Sequence, residues 1–260
     1  MRRELHLCLK VFTESVFQIQ SGEEDLHAGP LEIGFNAPLL VREERLSSCP
    51  DACRLAYVSD IHLRGGRSGH IAKQVIDAVC RCAANAVLLG GDLIDSSSEL
   101  DSLRALVKQL ARFAPVLAVG GNHDSRVGTS QVCDAVQNGG GAWIQNGSVD
   151  VRHNSRVISV CGPDFATRPT GDVRVLCAHN PRIWKTTRHA GYDLVLAGHL
   201  HGCQFVAFEF RDRLFPGAVF YPYNYLSHQF GATRLVVSRG ISDLVPIRWR
   251  CPREVVLCYV

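Results

Sequence analysis

Acidic, amide and imidazole side chains recur in five short motifs, each placed directly after a predicted strand. The motifs are Asp60-Ile61-His62, Gly90-Gly91-Asp92, Gly120-Gly121-Asn122-His123-Asp124, Ala178-His179-Asn180 and Gly198-His199-Leu200-His201. In α/β sheets, ligands collect beyond the carboxyl ends of the strands, where the backbone is held rigidly and successive loops converge. We therefore expect the five motifs to meet at one site.

The spacing within two of the motifs bears on the direction of their side chains. In an extended segment, residues i and i+2 face the same side. This predicts that Asp60 and His62 aim at one centre, and that His199 and His201 also aim at one centre. The neighbouring glycines allow sharp turns and keep side-chain bulk away from the site.

Each motif taken singly is weak evidence, because a lone Asp-x-His, Gly-Asp or histidine after a strand is common. Their order and their shared position at strand ends make the combination specific. The set offers carboxylate, imidazole and amide donors but no cysteine, a mixture that suits borderline divalent ions such as Mn, Fe, Zn or Ni. The sequence therefore predicts a metal centre.

The elements that must carry these motifs alternate in the first part of the chain. Predicted strands at 54–59, 86–89 and 115–119 alternate with helical patterns at 71–84 and 100–113, which indicates a parallel sheet covered by helices. Later signals are mostly short strands, at 142–145, 149–152, 157–161, 173–178, 194–197, 205–210, 234–238 and 254–260, with a short helix after Pro181. The two halves together predict two packed mixed sheets with helices outside, a four-layer α/β/β/α sandwich.

Residues 1–53 show the least pattern. We expect them to form an N-terminal extension, with a strand near Leu31 to Phe35, and residues 54–260 to form one domain.

The chain has 260 residues, 46% of them hydrophobic and 20% charged, with a net charge of +3. This composition excludes a largely disordered chain, and without a long basic run there is no strong signal for nucleic-acid binding.

Apolar runs and cysteines bear on the cellular compartment. No uncharged stretch reaches the ~18 apolar residues that a membrane-spanning helix needs, and Lys10 and Glu14 break the early segment from Leu5 to Ile19. The 11 cysteines are odd in number and widely spread, which favours reduced thiols over a disulfide framework. We expect a cytoplasmic protein, with peripheral contact at the inner face of the membrane left open.

In this order, the motifs strongly resemble those of the calcineurin-like metallophosphoesterase superfamily, from about Asp60 to His201. The tail resembles the end of a bacterial branch of small phosphoesterases through Val236-Val237-Ser238-Arg239-Gly240, Pro246-Ile247-Arg248 and Cys251-Pro252-Arg253-Glu254. That branch usually continues Gly-His-x-His with Gly-Gly-Gln, whereas this chain has Gly202-Cys203-Gln204. We expect Cys203 to be a packed thiol; the alternative is an extra soft metal donor.

The resemblance implies a role for each motif residue around two divalent metal ions. The implied ligands are Asp60, His62 and His201 for one ion, Asn122, His179 and His199 for the other, and Asp92 for both. A hydroxide bridging the two ions would attack phosphorus. His123 would assist the leaving group as the catalytic imidazole.

Two further acids and an aromatic segment lie near the motifs. Asp124 or a backbone carbonyl would orient His123. Asp95 would orient a ligand histidine or, alternatively, cap the helical segment that follows it. The aromatic segment from Phe215 to Phe230 would cap the second sheet; the alternative is an apolar wall for an acyl chain or a nucleobase.

The expected function is a metal-dependent phosphohydrolase that cleaves phosphodiester or pyrophosphate bonds, with a nucleotide- or lipid-linked substrate as one option. One alternative is a UDP-diacylglucosamine pyrophosphohydrolase, although some families with that activity have Arg where this chain has His123. A phosphomonoesterase, a nuclease and a cyclic-nucleotide phosphodiesterase would also be compatible with the motifs. A non-enzymatic binding scaffold is the last possibility, but scaffolds tend to lose ligands and here every ligand position is filled.

Overall fold

The structure is a computed structural model that describes residues 31–166, 169–243 and 245–260. Residues 1–30, including the segment from Leu5 to Ile19, lie outside the described residues. Two six-stranded β-sheets form the centre of the described chain, and helices pack on their outer faces.

Sixteen strands and six α-helices are defined in the described residues. The strands are β1 (Glu32–Ile33), β2 (Leu40–Arg45), β3 (Arg54–Val58), β4 (Ala86–Gly90), β5 (Val116–Val119), β6 (Ala142–Trp143), β7 (Ser148–His153), β8 (Arg156–Cys161), β9 (Val173–Cys177), β10 (Leu194–Ala197), β11 (Val206–Phe210), β12 (Arg213–Pro216), β13 (Ser227–Phe230), β14 (Thr233–Val237), β15 (Ile247–Arg248) and β16 (Glu254–Tyr259). The helices are α1 (Ser68–Cys82), α2 (Leu100–Leu110), α3 (Asn122–Val127), α4 (Thr129–Asn138), α5 (Trp184–Thr187) and α6 (Gly217–Phe220).

The first sheet has the order β2-β16-β3-β4-β5-β6. Strands β3 to β6 run parallel, and β16 enters antiparallel to β3 and parallel to β2. Alternate residues of β3 face opposite sides, as strand geometry requires. Ala56 and Val58 pack with the helices, whereas Leu55 and Tyr57 face the second sheet.

The second sheet has the order β13-β14-β10-β9-β8-β7, with parallel central strands and antiparallel edges. Leu194 and Leu196 of β10 face the first sheet, whereas Val195 packs outward with Trp184 and Tyr192. This outer layer is thin, because α5 has only four residues. The predicted α/β/β/α sandwich with two packed mixed sheets is confirmed.

The two long helices bury the predicted apolar stripes. In α1, Ile71, Val75 and Val79 are fully buried against the first sheet, and α2 buries Leu103 and Leu106 there too. The side chain of Ser96 accepts a hydrogen bond from the backbone N–H of Ser98 and begins the turn that leads into α2. Ser96, rather than Asp95, therefore caps the N-terminus of the short 3₁₀ turn Ser97–Glu99 that precedes α2.

The structure corrects several expectations. Residues 40–45, expected in a poorly patterned extension, form β2, an edge strand of the first sheet. Helices α3 and α4 and the short strands β12, β13 and β15 were not predicted. The strand expected near Leu31 to Phe35 is only the two-residue β1, which pairs with β15. The division of the chain at residue 53 remains a prediction.

Candidate metal centre

The loops that carry the motifs converge from both sheets. The backbone N–H of His199, after β10, donates to both carboxylate oxygens of Asp60, after β3, at 3.1 Å each. Nδ1 of His179, after β9, lies 3.0 Å from the carbonyl oxygen of Gly90 at the end of β4. Strand ends of the first sheet therefore contact strand ends of the second, as the sequence predicts.

The first cluster of candidate ligands, which we name group one, consists of Asp60, His62 and His201. Nε2 of His201 lies 3.5 Å from Oδ1 of Asp60. The rings of His62 and His201 are stacked, with centroids 5.3 Å apart. Nε2 of His62 is buried and has no hydrogen-bond partner in the described part of the chain. A cation is the natural partner of such an atom, because a buried polar atom without one is costly.

The second cluster, which we name group two, consists of Asp92, His179 and His199. Nε2 of His179 lies 3.3 Å from Oδ2 of Asp92 and 3.1 Å from Nδ1 of His199. The amide oxygen Oδ1 of Asn122 lies 3.2 Å from Nε2 of His179. Group two thus brings together a carboxylate, an amide and two imidazoles, as expected from the motifs.

Asp92 stands between the two groups. Its Oδ2 atom is 3.3 Å from Nε2 of His179 in group two and 3.9 Å from Nε2 of His62 in group one. Its Oδ1 atom accepts the backbone N–H of His123 at 2.8 Å. Burial alone would raise the pKa of Asp92, but the hydrogen bond and charge of His179 outweigh it and hold the pKa far below its ordinary value.

The backbone at the ligand positions is not extended. Asp60, His62, Asp92, His199 and His201 have φ angles between 46° and 71°, a left-handed region that costs roughly 1 kcal/mol or more for a non-glycine residue. The expectation that residues i and i+2 face one side in an extended segment therefore does not apply. Asp60 and His62 do share a group, but His199 and His201 belong to different groups.

Two of the motif glycines sit where no side chain would fit. A Cβ atom at Gly121 would overlap the carboxylate of Asp92, and one at Gly198 would overlap the carboxylate of Asp60. The expectation that the glycines keep bulk away from the site holds at these two positions. The carboxylates of Asp92 and Asp60 therefore pack directly against glycine backbone.

Asp95 contacts both a candidate ligand and the spare imidazole. Its Oδ1 atom lies 2.7 Å from Nδ1 of His62 and 2.8 Å from Nδ1 of His123. Burial opposes ionisation of Asp95, but the hydrogen bond and charge of His62 outweigh it and lower its pKa. Asp95 thus lies where the sequence places an acid that orients a ligand histidine.

Asp124 does not contact the ring of His123 as expected. Its carboxylate accepts backbone N–H groups from Leu93 at 2.9 Å, Ile94 at 3.2 Å and Gly121 at 2.9 Å. Burial raises its pKa despite these hydrogen bonds. Asp124 ties the loop after β4 to the loop after β5, and Asp95 is the acid beside His123.

Asp243 was missed by sequence reasoning. It is buried after β14, with Oδ1 2.8 Å from Nδ1 of His201. Burial would raise its pKa, but His201 and Arg248 lower it to about 2. The only available signal was its place just after Ser238-Arg239-Gly240, and a lone acid in a loop is common.

The pKa values of the two histidines of group two shift in opposite directions. Burial lowers the tendency of His179 to ionise, yet the Asp92 hydrogen bond and the charges of Asp60 and Asp92 raise its pKa to about 9. Burial and the neighbouring charge of His179 lower the pKa of His199. The surroundings of His179 in the metal-free fold therefore favour a positive charge on its ring.

Cys203 and the aromatic segment lie beside the centre. Sγ of Cys203 faces Nδ2 of Asn224 at 3.5 Å, and burial raises the pKa of this thiol to about 11. Cys203 belongs to none of the candidate metal groups among the described residues, which agrees with a packed thiol. Tyr223 and Tyr225 pack against the second sheet, whereas Phe220 and Tyr221 are exposed, so the segment caps the sheet only in part.

Comparison with known proteins agrees with this geometry. Residues 53–233 match the family described as the calcineurin-like phosphoesterase superfamily domain. The chain is 26% identical over 225 residues to "Phosphodiesterase YaeI" of Escherichia coli (strain K12), covering 78% of this chain and 80% of that protein. It is 24% identical over 222 residues to an uncharacterized metallophosphoesterase of Helicobacter pylori (strain J99), covering 78% of this chain but only 58% of that protein.

Among solved structures, TT1561 of Thermus thermophilus aligns with a TM-score of 0.48 and 13% identity, covering 74% of this chain and 91% of that chain. The match over residues 53–233 places the protein in the calcineurin-like phosphoesterase superfamily. It is a metal-dependent phosphoesterase, a hydrolase, whose His and Asp clusters can bind metal ions. No helix among the described residues is both long and apolar enough to cross a membrane.

Proposed function

We propose that the protein is a phosphodiesterase that uses two divalent metal ions held side by side. The observation that carries this proposal is the position of Asp92, whose Oδ2 atom faces Nε2 of His179 in group two and Nε2 of His62 in group one. A carboxylate shared in this way suits a pair of ions, which typically lie about 3.5–4 Å apart.

The donors fit two cations of borderline softness. Group one with Asp92 would hold one ion, and Asn122, His179 and His199 with Asp92 would hold the other. The buried, unpartnered Nε2 of His62 and the carboxylates cradled by glycine support this assignment. When bound, such ions supply Lewis acidity and an activated water nucleophile near neutral pH. Mn, Fe, Zn and Ni all suit these donors.

His123 is proposed as the general acid for the leaving group. Its Nδ1 atom faces Asp95, so Nε2 is the atom from which a proton can pass to the departing oxygen. Its ring meets that of His62 edge-on, with centroids 4.7 Å apart, which places it beside group one. Asp95 holds the ring at Nδ1, so the step starts from the imidazolium form, which carries a proton on each nitrogen and becomes neutral when Nε2 gives its proton to the leaving oxygen. A positioned acid of this kind typically contributes 10²- to 10⁴-fold.

The substrate we favour is a phosphodiester. The printed name of the E. coli relative supports this choice. The cluster of imidazoles and metal ions would attract an anionic phosphate, and Asn122 adds a neutral amide that can donate to its oxygens.

The experiment is hydrolysis of bis(p-nitrophenyl) phosphate and p-nitrophenyl phosphate by the metal-stripped chain, with and without added Mn²⁺. We expect diester cleavage only with metal, and none in Asp92→Asn. Asp193→Asn is the matched control, because Asp193 pairs with Arg174 at the opposite end of β10. Cleavage of the monoester alone would replace the proposal with a phosphatase, and absence of bound metal would favour a scaffold.

A lipid-linked pyrophosphate, such as UDP-diacylglucosamine, is the second candidate. The observation in its favour is the outward face of the β11–β12 hairpin, where Phe208 and Phe210 are exposed while Val206 and Leu214 are buried beneath. Exposed aromatic side chains of this kind suit acyl chains or a membrane surface. This candidate implies peripheral membrane contact.

Turnover of UDP-diacylglucosamine tests the second candidate. We expect Phe208→Ser with Phe210→Ser to reduce that turnover while hydrolysis of bis(p-nitrophenyl) phosphate is unchanged. Equal loss on both substrates would contradict an acyl-binding role for this face.

We further propose that the protein works in the cytoplasm. Among the described residues, the buried thiols of Cys53, Cys161, Cys177 and Cys258 form no disulfides, which suits a reducing compartment. Fractionation of cells should then recover the protein with cytoplasmic markers, and recovery in an oxidising compartment would contradict this placement.

A further inference from the structure

Asp243 touches the one group-one histidine that Asp95 does not reach. Oδ1 of Asp243 lies 2.8 Å from Nδ1 of His201, while Nε2 of His201 points towards Asp60. Nδ1 of His201 nevertheless has no aligned hydrogen bond among the described residues, so this is a close approach of the two groups rather than a formed hydrogen bond. The Asp243 side chain is buried within the loop that follows β14.

Arg248 fixes the Asp243 carboxylate from the other side. Nε of Arg248 lies 2.5 Å from Oδ2 and Nη2 lies 2.8 Å from Oδ1 of Asp243. The same Nη2 donates to the carbonyl oxygen of Arg239 at 2.7 Å, and Nη1 donates to that of Cys251 at 3.2 Å. A two-pronged pairing of this kind holds a carboxylate in one orientation. Asp243 is therefore held in place, with Oδ1 turned towards His201.

We propose that Asp243 is a positioning residue for His201. A small turn of the ring would let Asp243 accept the Nδ1–H of His201, which keeps the proton off Nε2 and leaves that nitrogen aimed at Asp60. This inference rests on the proposed function, since it takes His201 to be a metal ligand. Asp95 stands in the same relation to Nδ1 of His62, so both group-one imidazoles are backed by a carboxylate.

Loss of the Asp243 charge should have a selective effect. A carboxylate behind a ligand histidine fixes its tautomer and makes it a better donor, and its loss typically costs 10- to 100-fold in metal affinity. The hydrogen bonds and ion pairs of the Asp243 carboxylate in the described chain go to His201 and Arg248, neither of which belongs to group two. Its removal should therefore weaken one of two bound ions and leave the other in place.

The first test is metal binding by Asp243→Asn in the full chain, measured as Zn²⁺ stoichiometry and affinity in competition with a chelator. We expect one ion to bind about 10- to 100-fold more weakly and the other to bind as in the wild type. Glu254→Gln is the matched control: Glu254 is also buried and paired with arginines, Arg42 and Arg239, but it touches no candidate ligand. Equal weakening in both variants, or no weakening in Asp243→Asn, would overturn the proposal.

The second test uses the wild-type chain, so it does not depend on the folding of a variant that lacks a buried charge. Long-range ¹H–¹⁵N spectra of the wild-type, metal-free chain report which ring nitrogen of each histidine carries a proton, and His201→Asn assigns the signals of His201. A proton on Nδ1 of His201 supports the proposal, and a neutral ring protonated only at Nε2 overturns it. If the wild-type chain binds no metal, the proposed function fails, whereas this measurement still tests the Asp243 contact.

Discussion

Groups one and two use different means to orient their histidines. In group one, Nδ1 of His62 and Nδ1 of His201 each face a carboxylate, from Asp95 and Asp243. In group two, Nδ1 of His179 faces only a backbone carbonyl. Because a carboxylate behind a ligand histidine makes it a better donor, we expect the ion in group one to bind more tightly. The difference teaches that two adjacent positions built from the same residue types need not be equivalent.

The largest effect should come from Asp92, which lies between the two groups. Asp92→Asn removes the negative charge between them, so we expect loss of both metal ions and no detectable diester hydrolysis. Metal analysis of the purified variant, with Asp193→Asn as the control, measures this. Retention of two ions would mean that Asp92 does not join the groups.

The next largest effect should come from His123, the imidazole proposed to protonate the leaving group. His123 adjoins His62 and Asp95, so His123→Ala should lower kcat by about 10²- to 10⁴-fold while both ions remain bound. The loss should be greatest for diesters with poor leaving groups. The exposed His189 offers the control variant His189→Ala. Unchanged turnover of a poor leaving group would exclude His123 as the acid.

Removal of one carboxylate behind group one should have a smaller effect. Asp95→Asn is expected to weaken one ion by about 10- to 100-fold and to lower kcat further, because Asp95 also contacts His123. Chelator competition and steady-state kinetics separate the two losses. Asp101→Asn, an exposed acid at the start of α2, is the control. Equal weakening of both ions would remove the distinction between the groups.

The last effect is a pH dependence that belongs to group two and needs no substitution. The pKa of His179 is raised from 6.5 to about 9 in the metal-free fold. Its proton therefore stabilises that fold below pH 6.5, and the contribution is lost as the pH rises through 9. Urea unfolding of the metal-free chain should show a free energy of unfolding that falls across this window.

The same proton must leave when an ion binds group two. Affinity at that position should thus rise with pH, by about tenfold per unit below the raised pKa of His179. The variant His179→Gln should lose the pH dependence of unfolding. If it kept the full dependence, another group would carry the proton.

Much of the fold and the clustering at the strand ends could be predicted from the sequence. Ala86–Gly90 is an unbroken apolar run that ends in glycine, the pattern of a buried parallel strand followed by a tight turn. Because parallel strands align their carboxyl ends, the motif order alone indicates that Asp60, Asp92 and Asn122 lie close together.

Other features depend on contacts that no single segment contains. Leu40–Arg45 is mostly charged, and it becomes a strand because the buried Arg42 pairs with Glu254, 212 residues away. Thr129–Asn138 buries only Val132, Ala135 and Val136, too short a stripe between glycines to indicate α4. Asp243 could not be recognised as a candidate from the sequence, because only the fold brings it close to His201.

The pairing of β2 with β16 has a consequence for synthesis of the chain. At 5–20 residues per second, a ribosome needs roughly 10–40 s to travel the 212 residues from Arg42 to Glu254. Throughout that interval β2 lacks the neighbour to which it is joined in the finished sheet, and β3 lacks its partner on the same side. Such open edges invite wrong pairing. A nascent chain stopped before residue 254 should therefore be a target for chaperones and proteases, although every motif of the metal centre has already been made.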